Sequence, residues 1–140
     1  KMKDTMKSFI SETRVPAPLI RAVVKQSGGW DNFREIAKDV ANYGADAGFP
    51  GWIYHNETKE FFQKNRKAIL ECAEESANDL GEDLLSMIRR FGMFRNDPIN
   101  NSDLAKALYA GKGEDASRVY DVMSWFALEE VASAYVDLNN

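Results

Sequence analysis

The amino-acid sequence predicts an all-α, single-domain fold of six or seven helices. Apolar residues recur at spacings of three and four along most of the chain, which is typical of helices that bury one face. The longest strand-like run is only Gly51-Trp52-Ile53-Tyr54. No internal repeat and no linker rich in Pro, Gly or Ser divides the 140 residues. We therefore expect one helical domain over residues 1–140, large enough to form a single core.

The first part of the chain predicts three short helices separated by glycine and proline. One helix covers Asp4 to about Ser11, and a second runs from Pro18, a residue suited to a first helical turn, to about Gln26. The pair Gly28-Gly29 then ends the second helix. Asp31 or Asn32 is the expected N-cap of a third helix that Gly44 ends. Its apolar face comprises Phe33, Ile36, Ala37, Val40 and Tyr43.

A long helix is predicted to follow, with Asn56 as its N-cap and Gly81 as its terminator. Its expected apolar face comprises Phe62, Ile69, Cys72, Ala73 and Leu80. Glu82 and Asp83 open a further helix that reaches Gly92. The spacing then predicts a short helix capped by Ser102.

The last helix is predicted to run from Asp115 to about Asp137 and to lie at the centre of the fold. Its apolar arc is wide, and its polar stripe is narrow, consisting of Glu129, Glu130, Ser133 and Asp137. A helix of that kind packs against neighbours on more than one side.

The composition excludes several kinds of site. Cys72 and His55 are the single cysteine and histidine, so an internal disulfide, a cysteine cluster and a zinc site with two histidines are excluded. No nucleophile has an evident base partner, so we expect no catalytic residue, no metal and no cofactor. The sequence shows neither a secretion signal nor a membrane span of about 18 apolar residues, which favours the cytoplasm.

Charge is divided unevenly along the chain. Residues 1–70 hold 12 Lys and Arg against 8 Asp and Glu, whereas residues 71–140 hold 6 against 14. Two interpretations remain open, because the halves could pair with each other or present oppositely charged docking faces.

Residues 48–55, which read Gly-Phe-Pro-Gly-Trp-Ile-Tyr-His, form an aromatic segment between two predicted helices, in a loop at about 45–56. Loops are usually polar, so this one either completes the core or forms a binding surface. Trp and Tyr are frequent anchors of protein interfaces. The residues expected to contact a partner are Phe49, Trp52, Tyr54 and His55.

The segment also carries a resemblance. The run from Gly48 to Thr58, the stretch Asn65–Ile69 and the step Leu80–Asp83 resemble a family of bacteriophage and mobile-element proteins. The resemblance covers residues 44–95 and implies a small accessory protein that works in the cytoplasm of a bacterial host. Some such proteins block host defence systems by binding to them, and the comparison with this chain rests on that class of protein alone.

Basic residues supply a second candidate contact region, formed by Arg89, Arg90 and Arg95. With the basic residues of the long helix and the neighbouring Phe61 and Phe62, they could form a nucleic-acid patch. Interleaved glutamates and the net charge of −4 weigh against that interpretation. The carboxylates Glu71, Glu74, Glu75 and Asp79 are expected to form a solvated face, and Cys72 is expected to be inert core.

These observations predict a non-enzymatic protein that binds a host or phage protein. The most specific form of this prediction is inhibition of a host defence complex. A first alternative is a small-molecule or nucleotide binder that uses the aromatic segment, with hydrolysis through His55 and Glu57. A second alternative is a nucleic-acid-associated accessory protein. The sequence leaves the oligomeric state open.

Overall fold

The computed structural model describes residues 5–47, 55–92, 99–113 and 117–139. Within these residues the chain forms seven α-helices and no strand, which confirms the predicted all-α bundle. The helices are α1 (Met6–Glu12), α2 (Ala17–Gln26), α3 (Trp30–Tyr43), α4 (His55–Leu80), α5 (Leu84–Gly92), α6 (Asn101–Ala105) and α7 (Ser117–Asn139). A short 3₁₀ turn at Ala45–Ala47 follows α3, and a π-helical segment at Lys106–Ala110 continues α6.

Helix α7 is the centre of the bundle, as its wide apolar arc predicts. It packs against each of α1 to α5. Its fully buried side chains include Val119, Met123, Leu128 and Val131. Contact on several sides explains why α7 has only a narrow polar stripe.

One end of the core is an aromatic cluster that joins α1, α3 and α7. The ring of Phe9 lies 5.5 Å from the ring of Tyr135, edge to face, and 6.1 Å from that of Trp30. Phe33 completes the cluster at 5.7 Å from Trp30. Such ring pairs add to the energy of area burial, so the cluster fixes these three helices together.

Several predicted helix starts are wrong by a few residues. Helix α3 begins at Trp30 after Gly29, not after Asp31 or Asn32, because Gly28 and Gly29 adopt φ values of 94° and 116° and reverse the chain at once. Only glycine adopts such values readily. This early start places Trp30 in the aromatic cluster.

The start of α1 and the cap of α6 also differ from the predicted ones. The Thr5 hydroxyl accepts a hydrogen bond from the Ser8 backbone N–H at 3.1 Å, so α1 begins at Met6. Asn100, not Ser102, caps α6, since its side chain accepts from the Asp103 N–H at 2.8 Å. Each cap satisfies an amide that has no partner inside its helix.

Two residues that the sequence places on apolar faces are exposed. Tyr43 is 77% exposed at the end of α3, and Leu80 is 61% exposed at the end of α4. Both lie in a last helical turn. The rest of the predicted α4 face is buried, and Gly81 ends the helix with φ 70°, as predicted.

Candidate functional site

A groove of about 640 Å³ lies between α2 and the first part of α4. We call it the amino-terminal groove. Its lining consists of Arg21, Ala22, Lys25, Gln26, Glu57, Glu60, Phe61, Lys64 and Asn65.

Charges of both signs surround the amino-terminal groove. Arg21, Lys25 and Lys64 are exposed cations, and Glu57 and Glu60 are exposed carboxylates. This mixture suits a ligand that carries both positive and negative charges, as protein surfaces do. A run of phosphates would meet the two carboxylates as well as the three cations.

A kink in α4 shapes one end of this groove. Asn65 has non-helical φ and ψ values of −115° and 18°. Its side-chain amide donates to the Phe61 carbonyl, four residues earlier, at 2.9 Å. Helices bend where a side chain bonds to the backbone ladder. The kink therefore divides α4 into two arms, and the amino-terminal groove lies along the first.

The aromatic segment directly precedes this arm in the chain. Phe49, Trp52 and Tyr54 lie outside the described residues. His55 is the first residue of α4, and its side chain is likewise outside the described part. Glu57, which lines the groove, follows Tyr54 by three residues, so the covalent chain limits their Cα separation to about 11 Å.

A buried polar link holds the first arm of α4 against α7. The Thr58 hydroxyl donates a hydrogen bond to the Asp121 carboxylate, and the Ser124 hydroxyl donates to the Thr58 carbonyl at 2.8 Å. Thr58 and Ser124 are fully buried. Buried polar groups with partners specify one packing arrangement, so these bonds fix the register between the two helices.

Before the aromatic segment, where α3 ends, the side chain of Glu129 on α7 contacts the backbone. Its carboxylate accepts from the Ala45 backbone N–H at 3.1 Å. Gly44, with φ 96°, turns the chain toward this contact. Helix α7 thus contacts the chain both before and after the aromatic segment.

Two residues of the predicted arginine group, Arg89 and Arg90, make contacts within the fold. Arg89 donates to the Ile99 carbonyl at 2.5 Å and to the Asn101 side chain at 2.7 Å, which joins α5 to α6. Arg90 pairs with Glu82 at 2.5 Å, and this pairing raises the pKa of Arg90. Arg95 lies outside the described residues. The neighbouring Phe61 and Phe62 are buried, so neither ring offers a face for a nucleic-acid base.

A second groove follows the other arm of α4. Two adjoining cavities of about 310 and 360 Å³ share Ser76, Asp79 and Glu130 and together form what we call the acidic groove. The first cavity lies between the α1–α2 connection, α4 and α7, and the second reaches α5. Its charged lining residues are Glu12, Arg14, Glu75, Asp79, Arg90, Glu130 and Asp137.

Cys72 lies at the floor of the acidic groove and is 6% exposed. Burial, together with the charges of Glu130, Glu75 and Glu71, raises the pKa of its thiol to about 12. A thiol is a nucleophile only when ionised. Cys72 therefore stays protonated at neutral pH, and its burial confirms that it is a core residue.

The predicted solvated face on α4 is correct for Glu71, Glu74 and Asp79, which are exposed, whereas Glu75 is half-buried. Glu75 and Asp79 also lie beside Arg14, at 2.5 and 3.8 Å between side-chain atoms. Sequence patterning does not pair these residues, because Arg14 precedes Glu75 by 61 positions. No group of three His, Cys, Asp or Glu in the described part could hold a metal ion.

Comparison with known protein families matches residues 2–139 to a domain of unknown function, DUF7222. The chain belongs to the DUF7222 family. No curated protein and no solved structure matches it. Among the described helices of this DUF7222 domain, none has the length and apolar character that a membrane crossing requires.

Proposed function

We propose that this DUF7222 domain is a non-enzymatic protein that acts by binding another protein through the aromatic segment and the amino-terminal groove. The position and charge of that groove carry the proposal. It lies on the helix arm that begins directly after Phe49, Trp52 and Tyr54, and it presents charges of both signs. Aromatic anchors surrounded by charged and polar residues are the usual composition of a protein interface.

The resemblance of residues 44–95 to phage and mobile-element proteins supports a narrower form. In that form the partner is a host protein in the bacterial cytoplasm, and the domain inhibits a defence complex. Contact residues would be Phe49, Trp52, Tyr54 and His55. The Arg89, Arg90 and Arg95 group would serve as a second contact region.

The experiment is affinity capture from a bacterial lysate, followed by titration of the purified partner. A Lys25→Glu/Lys64→Glu variant reverses two charges in the amino-terminal groove. A Lys38→Glu/Lys67→Glu variant makes the same charge change at exposed positions that do not line it. We expect the groove variant to weaken binding by about tenfold or more and the control by less than about threefold.

The aromatic segment is tested separately. Trp52→Ala should abolish capture, whereas Tyr109→Ala, which removes a 52% exposed aromatic ring elsewhere, should not. An unchanged melting temperature for Trp52→Ala assigns the loss to the interface. Retained capture by this variant contradicts the proposal.

A second candidate function is binding of a small anionic molecule such as a nucleotide. The amino-terminal groove has a volume in the range of small-molecule sites, which is about 300 to 1,000 Å³, and it carries three cations. A melting temperature that rises with added nucleotide, and no longer does so in Lys25→Glu/Lys64→Glu, would favour this function over the first.

A further inference from the structure

The acidic groove has the length of a short helix. Along α7 its lining extends from Phe126 to Leu138. Twelve residues of α-helix rise about 18 Å, so a ligand lying along α7 would be a helix of about three turns.

The groove has an apolar floor with an exposed rim. Val15, Ala134 and Leu138 line its first cavity, and Met87, Phe91 and Phe126 line its second. Leu80, which also lines the second cavity, is 61% exposed. A helix that presents apolar residues at intervals of three and four could bury them against this floor.

The charge of the groove is predominantly negative. Its lining includes five carboxylates, those of Glu12, Glu75, Asp79, Glu130 and Asp137, against the guanidinium groups of Arg14 and Arg90. Arg90 is already paired with Glu82. Burial is the main cause of the raised pKa of Cys72 at the floor, and the charges of Glu130, Glu75 and Glu71 raise it further.

The contacts of Arg14 indicate that these carboxylates can bind a guanidinium group. Its guanidinium group lies 2.5 Å from the Glu75 carboxylate and 3.8 Å from that of Asp79, while the side chain remains 76% exposed. An exposed ion pair of this kind contributes little to stability. A basic side chain of a ligand can therefore replace Arg14 at small cost.

From these features we propose that the acidic groove binds a basic amphipathic helix of about three turns that belongs to a partner protein. Lys or Arg residues of the helix contact Glu75, Asp79 and Glu130, and its apolar face covers Leu80 and the floor. The surface and its ligand class are separate from those of the amino-terminal groove. A second copy of the chain would bring like charges together in a two-fold pairing, and nucleic acid would be repelled.

The test uses a labelled synthetic peptide of about 14 residues, with Leu at intervals of three and four and Lys at the other positions. One control peptide has Glu in place of each Lys, and another has Ser in place of each Leu. Fluorescence anisotropy with the full chain should show binding of the Lys/Leu peptide and affinities at least about tenfold lower for both controls. Equal binding of the Lys/Ser peptide would overturn the proposal, because the apolar floor would then play no part.

Matched variants locate the site. Glu75→Gln/Asp79→Asn removes two charges from the groove, and Glu71→Gln/Glu74→Gln removes two from exposed positions of the same helix that do not line it. We expect the first pair to weaken peptide binding by about fivefold or more and the second by less than about twofold. Equal weakening by both pairs would overturn the proposal, since binding would then follow net charge alone.

Two further measurements complete the test. Arg14→Ala, checked for an unchanged melting temperature, should strengthen peptide binding by about threefold, because the peptide no longer competes with Arg14. Weaker binding of this folded variant would contradict the proposal. Sedimentation of the chain alone should show a monomer, which leaves the groove accessible. A dimer that the peptide cannot dissociate would instead assign the groove to a second copy of the chain. None of these variants alters the amino-terminal groove, so failure here leaves the proposed function standing, and the reverse also holds.

Discussion

The hydroxyl group of the buried Thr58 on α4 donates a hydrogen bond to the carboxylate of Asp121 on α7. Ser124, one turn further along α7, donates in turn to the Thr58 carbonyl at 2.8 Å. These two bonds are made where the chain leaves the aromatic segment. The link therefore fixes the beginning of α4 relative to the centre of the bundle.

Replacing Thr58 by Val should destabilise the fold while keeping its shape. Valine has nearly the same volume but no hydroxyl, so the Asp121 carboxylate loses a donor in a partly buried place. The expected loss is about 1 to 3 kcal/mol in the free energy of unfolding, measured by urea denaturation. Ser11→Ala removes an exposed hydroxyl and should cost less than about 0.5 kcal/mol, and an equal cost for the two variants would contradict this role.

The thiol of Cys72 predicts a specific dependence of stability on alkaline pH. Its pKa rises from 9.0 to about 12 on folding, chiefly because it is buried. Below about pH 9 both states keep the proton, but above it the unfolded chain ionises and the folded chain does not, so stability falls by about 1.4 kcal/mol per pH unit from this group. The free energy of unfolding of Cys72→Ala should fall less steeply between about pH 9 and pH 11. Parallel profiles for the two proteins would show that the thiol ionises equally in both states.

Glu129 should affect both stability and the binding of a partner. Its carboxylate accepts a hydrogen bond from the backbone N–H of Ala45, which lies three residues before the aromatic segment. Glu129→Ala removes this acceptor and should cost about 1 to 2 kcal/mol on urea unfolding, together with weaker capture of the partner. Glu129→Gln retains a carbonyl oxygen that can accept the same bond and should preserve most of both. If the Gln variant behaves like the Ala variant, the charge matters more than the hydrogen bond.

The aromatic cluster should be the most sensitive part of the core to truncation. Phe9 is fully buried against Trp30, Phe33 and Tyr135, so Phe9→Ala removes several ring contacts and leaves a cavity. The expected loss is about 3 to 5 kcal/mol in the free energy of unfolding. Tyr135→Phe keeps the ring and loses only the hydroxyl that accepts from Arg34 at 3.2 Å, so it should cost about 1 kcal/mol or less. Similar losses for both would mean that the rings contribute little.

Helical periodicity predicts the fold class, the buried positions Phe62 and Ile69 and the central place of α7, because those features follow from the spacing of apolar residues. It fails at helix ends. Tyr43 and Leu80 keep the period of their helices but are exposed in the last turn. The kink at Asn65 depends on one bond from a side chain to the backbone, which leaves no trace in the apolar pattern.

The grooves could not be predicted for a different reason. The contact between Arg14 and Glu75 joins residues 61 positions apart, and it exists only because α1, α2 and α4 pack around α7. Sequence patterning identifies which residues are charged, but the crossing of helices decides which charges meet. The aromatic segment is the opposite case, since its composition alone distinguishes it.

The central position of α7 has a consequence for synthesis of the protein. Helices α1 to α5, which all pack against α7, precede it in the chain. A ribosome adds about 5 to 20 residues each second, so the parts of these helices that pack against α7 stay uncovered for some seconds. The nascent chain completes its core only after residues 117–139 have emerged, and until then chaperones have access to the surfaces that α7 later covers.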